Sequence, residues 1–74
     1  MCNTSIFQQT RKFNRLAEIT GCRYLRHTQL TPRKFEVILE GKPFSQELKF
    51  YVYFGDTEVT FKEVGVKMKW IELN

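Results

Sequence analysis

The chain is short of almost everything that marks a catalyst. Its 74 residues hold one histidine, one aspartate and two cysteines. On that inventory a Ser-His-Asp triad has little to draw on. No pair of carboxylates stands out as an acid–base couple. No glycine-rich phosphate loop, Walker sequence or dinucleotide fingerprint occurs. Cys2 and Cys22 are too few for a disulfide framework and lack the spacing and His partners of a zinc site. The expectation is a non-enzymatic protein without cofactor or metal.

Long apolar runs are missing too. The longest, residues 50–54, falls far below the ~20 residues of a membrane span. The opening MCNTSIFQQTRKF has no apolar segment of the kind a secretory signal needs. These absences predict a cytoplasmic chain with no membrane partner.

Negative charge is scarce in one half only. Among residues 1–34, Glu18 stands alone against Arg11, Lys12, Arg15, Arg23, Arg26, Arg33 and Lys34, seven minus one or +6. Residues 35–74 carry five lysines against six glutamates and Asp56, five minus seven or −2. All five arginines lie in the first half. Guanidinium forks match phosphate and carboxylate geometry better than ammonium groups do. A basic half points to an anionic partner, a nucleic acid or an acidic protein surface.

Rings are what the chain has in abundance: seven Phe, three Tyr and one Trp. So short a chain buries only about 60% of its unfolded surface, and buried rings are an efficient way to reach stability. One compact α+β domain over residues 1–74 is expected.

Residues 4–20 have helical spacing. Thr4 or Ser5 can cap the start, and Ile6, Thr10, Phe13, Leu16, Ala17 and Thr20 form a stripe. Gln8, Arg11, Lys12 and Arg15 fall opposite, while Phe7 and Ile19 off the stripe hint at contact on a second side. Gly21 suits a left-handed helix stop. From Cys22 to Leu30 the texture turns to period two, with no clear apolar face. The segment 34–40 fits a strand with Phe35, Val37 and Leu39 inward. It also fits a helix with Thr31 as cap, Pro32 first and Gly41 at the stop. The strand is preferred, because its alternation matches the next one and the loop 41–46 joins the two as a hairpin.

Residues 47–54 are the clearest strand. Within KFYVYF, Phe50, Val52 and Phe54 point one way and Tyr51 and Tyr53 the other. Gly55 and Asp56 signal a two-residue turn. A strand from Thr57 follows, its phase slipping near Gly65, so a turn at 62–65 and a last strand at 66–73 are expected. One N-terminal helix on an antiparallel meander of four or five strands results.

Stretch 30–39, LTPRKFEVIL, resembles the start of the first helix in winged-helix domains of response regulators. The resemblance covers about a seventh of the chain, and no recognition helix follows it.

Three functions fit. In the first, the basic half binds nucleic acid, with or without Tyr51 and Tyr53. Lys67 and Lys69 would share the tyrosine face if Val66, Met68 and Trp70 face the core. Rings beside lysines can stack bases and neutralise phosphate. This is similar to the sheet platform of RNA-recognition domains in its physics alone, since their motif and βαββαβ order are absent. The bland alternative is a sheet whose Tyr hydroxyls reach water. In the second, the chain is a small inhibitor or adaptor that binds protein, for example a phage anti-defence or anti-CRISPR protein; Tyr, Trp and Arg are enriched at such contacts. In the third, His27, beside Arg26 and Thr28 and near Tyr24, is the general base of a ribonuclease toxin. A surface histidine on a strand is the plainer reading. An exposed aromatic strand also invites self-pairing, so a homodimer through a sheet edge or the aromatic face would protect it.

Overall fold

The computed structural model describes residues 5–41 and 45–73. Helix α1 (Ile6–Thr20) starts at Ser5, whose hydroxyl accepts from the Gln8 N–H at 3.1 Å. Thr4, the other expected cap, and Cys2 lie outside the described residues. Gly21 ends the helix at φ 69°, ψ 26°, where only glycine sits without strain. Its N–H reaches the Glu18 carbonyl and the Cys22 N–H the Ala17 carbonyl, which satisfies the last turn.

The strands β1 (Arg23–Gln29), β2 (Lys34–Gly41), β3 (Gln46–Phe54), β4 (Val59–Glu63) and β5 (Ile71–Glu72) form one antiparallel sheet in chain order. The fold class is α+β, a helix followed by a strand meander. Register puts Phe35 opposite Val52 and Val37 opposite Phe50 on one face. That face takes Phe13, Leu16 and Ala17 of α1. Phe13 is its hub, with ring centroids 5.5 Å from Phe35 and 6.2 Å from Phe54. Edge-on ring contacts of this kind add to the burial itself.

The segment 34–40 is a strand, as preferred, and so lacks the helix of the winged-helix resemblance. The reason is local. Thr31, the cap that a helix would use, instead accepts from the Arg33 and Lys34 N–H groups in a tight turn at 3.3 and 2.9 Å. Its backbone exchanges hydrogen bonds with Lys34. The hairpin pairing of β2 with β3 runs to Gly41 opposite Gln46, and residues 42–44 of the expected loop lie outside the described residues.

Four expectations need correction. The stripe on α1 buries only Phe13, Leu16 and Ala17, with Ile6 78% exposed and Thr10 exposed, and the second-side contact expected of Phe7 and Ile19 is not made among the described residues, since both are exposed. The tip after β3 is Asp56 and Thr57, one residue later than expected, because Gly55 N–H bonds to the Glu58 carbonyl at 2.7 Å. The turn expected at 62–65 is present but narrowed to Val64 and Gly65, because β4 runs to Glu63, with Gly65 at φ 85°. Finally, the last strand is Ile71–Glu72 rather than 66–73, and residues 67–70 run without regular pairing. Leu73, not Val66 or Trp70, enters the core; it is 2% exposed.

Among the described residues no helix is long and apolar enough to cross a membrane.

Candidate nucleic-acid interface

The side of the sheet away from α1 has no element over it among the described residues. Register fixes what stands there. One row runs Lys34, Tyr53, Thr60, Glu72, and the next runs Glu36, Tyr51, Lys62. Tyr51 and Tyr53 are therefore opposite the Phe50, Val52, Phe54 face, as the alternation predicted. Tyr53 is 41% exposed and Tyr51 half-buried.

Trp70 joins them, which sequence reading missed. Its ring lies 6.5 Å from Tyr53, edge to face, and it is 43% exposed. Thr60, small and between Tyr53 and Glu72 in the row, leaves room for this diagonal contact. No local signal marked Trp70, because the irregular run 67–70 resets the alternation that would have set its side.

Two ammonium groups stand by the rings. Lys34 Nζ sits 4.4 Å from the Tyr51 ring centroid and Lys62 Nζ 5.8 Å from that of Trp70. Both distances are within cation–π reach. Lys62 was not singled out from sequence. Beyond Tyr51, Ile38 also points to this side. It is 5% exposed yet stands apart from the helix-side core, flanked in register by Arg26 and Lys49. Glu36 and Glu72 share the ring end of the face with Lys34, Lys49 and Lys62.

The remaining expected residues are dispersed. Lys67 and Lys69 are exposed in the irregular run and not on a strand beside the tyrosines; the condition for that, an inward Trp70, is not met. Arg11, Lys12 and Arg15 stand on α1, across the sheet from the tyrosines. They line a shallow open depression with Asn14 and Glu18. Arg11 lies 5.9 Å over the Phe7 ring, and Arg15 pairs with Glu18 at 2.8 Å.

About half of the charge excess of the first 34 residues is met by carboxylates of the other half, three of six. Arg26 pairs with Glu47 at 2.9 Å, Arg33 with Asp56 at 2.8 Å and Arg23 with Glu40 at 3.9 Å. Each pair joins the basic half to the acidic half. Sequence reading treated these arginines as phosphate ligands; folding gives them carboxylates.

His27 lies on the helix side, its ring 4.8 Å from Phe13. Its Nδ1 shares a 2.6 Å hydrogen bond with the Tyr24 hydroxyl. Burial pushes that hydroxyl above the ordinary tyrosine pKa. Tyr24 and His27 share a side despite being three residues apart, because the register shifts between Tyr24 and Arg26. Arg23 and Arg26 take the other side with Glu40 and Glu47, so the arginines nearest in sequence do not converge on the imidazole. Cys22 is a half-buried free thiol against the core. Among the described residues no group of three or more His, Cys, Asp or Glu is placed to hold a metal ion.

No family model, curated protein or solved structure matches this chain.

Proposed function

We propose that the chain is a non-enzymatic nucleic-acid-binding protein whose contact surface is the open sheet face. The observation that carries this reading is the interleaving of Tyr51, Tyr53 and Trp70 with Lys34 and Lys62 on that face. Rings supply stacking surface for bases and ammonium groups supply charge for phosphates. The arginines matter less than the sequence suggested, since Arg23, Arg26 and Arg33 hold carboxylates. Arg11 and Lys12 remain as a separate basic patch on the far side.

The test is to purify the protein at low salt and follow its 260/280 nm absorbance ratio and light-scattering mass before and after nuclease and high salt. Nucleic acid that co-purifies and leaves with salt is the expected result. Clean protein that also fails to retain added nucleic acid at low salt would overturn the reading.

A protein partner is the second reading, favoured by the exposed Ile6 and Phe7 at the start of α1. An acidic protein surface could meet the neighbouring Arg11. One stoichiometric protein partner whose capture survives nuclease treatment is the result that would replace the first reading with this one.

A further inference from the structure

The spacing of the rings selects among nucleic acids. Tyr51 and Tyr53 are alternate residues of β3, so their attachment points lie roughly 7 Å apart along the strand. Trp70 continues from Tyr53 at 6.5 Å on the next diagonal. The three rings form a bent row. In register Lys34 stands beside Tyr53 and Lys62 beside Tyr51, and their ammonium groups lie against the Tyr51 and Trp70 rings.

Bases stacked in a duplex are only about 3.4 Å apart, half this spacing, and they cover each other's faces. A duplex would offer the row phosphates and base edges but no ring faces. An unpaired, unstacked strand offers one base face to each ring. Charge agrees with so small a footprint. In the two ring rows Lys34 and Lys62 meet Glu36 and Glu72, and one row beyond stand Lys49 and the Glu47-paired Arg26, enough positive charge for a few phosphates and too little for a duplex backbone.

Resting on the nucleic-acid reading above, we infer that the open face binds single-stranded nucleic acid, one unpaired base against each of Tyr51, Tyr53 and Trp70. Lys34 and Lys62 move from their rings to the flanking phosphates. The acidic neighbours Glu36 and Glu72 limit how many phosphates the face accepts, so stacking carries much of the affinity and the salt slope is that of about two phosphates, still enough for high salt to release the strand.

Trp70 is the sole tryptophan and reports directly on its own stacking. The experiment titrates the full chain with oligothymidylate of about ten nucleotides and with a duplex of the same length, reading fluorescence anisotropy of the labelled nucleic acid and Trp70 emission. Oligothymidylate is expected to bind at least about tenfold more tightly and to quench Trp70. With two phosphates engaged, raising salt from about 50 to 200 mM should weaken binding roughly sevenfold. Tyr53→Leu should weaken it roughly 5- to 150-fold, while Tyr53→Phe, which keeps the ring, should bind almost as the parent does. Lys34→Gln should flatten the logarithmic salt slope by about 0.7. Far-ultraviolet circular dichroism of each variant identifies any that fail to fold, and the Phe and Gln variants keep the comparison open in that case. Equal or tighter binding of the duplex would overturn the single-strand assignment and leave the nucleic-acid reading standing. Binding of oligothymidylate that leaves Trp70 emission unchanged would overturn the ring assignment. If the folded protein binds neither probe at low salt, both readings fail.

Discussion

The two faces of β3 carry the same kind of side chain and do opposite things. Toward α1 stand Phe50, Val52 and Phe54, all buried. Away from it stand Tyr51, half-buried, and Tyr53, exposed. The sheet sorts rings by one oxygen atom. A phenyl ring gains by leaving water entirely, while a phenol keeps a polar tip that wants a partner. The helix covers the phenyl side of β3, where the phenol of Tyr24 sits only at the rim, and the phenol side of β3 stays open. Burial decides stability on the first face, and the second is the one proposed to meet a ligand.

Substitutions break this comparison in a graded way. The largest loss belongs on the helix side. Phe35→Ala removes a ring packed by Phe13 and Phe54, and about 3–5 kcal/mol of unfolding free energy should go in a denaturant titration. A loss under about 1 kcal/mol would mean that the helix-side core is not as closely packed as its ring contacts imply. Tyr53→Ala on the open side gives up a half-exposed ring and its contact with Trp70, for about 1 kcal/mol. If it costs as much as Phe35→Ala, the two faces do not differ as described. Arg26→Gln is smaller again. Its pair with Glu47 is exposed on both sides, so thermal melts should shift by the equivalent of about 0.5 kcal/mol or less.

The smallest effect is a pH dependence at the rim of the helix side. Burial raises the Tyr24 hydroxyl above the tyrosine value of an unfolded chain, so the folded state holds its proton to higher pH. The stabilisation is complete below about pH 10 and fades as pH rises through the folded value. Tyr24→Phe should lessen that part of the alkaline decline in melting temperature. An unchanged decline would place its cause in other groups.

Much of this fold was legible because local signals agreed with the global result. Ser5 and Gly21 bracket a helix, and period two over 34–40 and 47–54 gave adjacent strands with the right residues inward. What escaped was set by relations between distant residues. Thr31 has cap chemistry that serves a turn as well as a helix, and only the pairing of β2 with β3 decides between them. The irregular run 67–70 breaks the parity count, which puts Trp70 on the wrong side, and Lys62 is hidden because 62–65 reads as a turn whereas β4 runs on to Glu63. The charge asymmetry along the chain is halved in space, because Glu40, Glu47 and Asp56 fold back onto Arg23, Arg26 and Arg33. No periodicity in a sequence announces such pairings.

The register shift in β1 has a bearing on how the molecule behaves in company. A meander leaves two outer strands whose backbone groups can recruit a neighbour's strand, the route to fibres and aggregates. Here one outer strand, β5, is two residues long and offers little to copy. The other, β1, is seven residues long but carries its irregularity at Leu25, in the middle of the stretch that a neighbour would have to match. A bulge twists an edge and throws flat pairing out of step. Leu25 thus acts as a guard on the longer border of the sheet. A chain lacking that one residue would have a regular ribbon there and should precipitate at concentrations where the parent stays in solution.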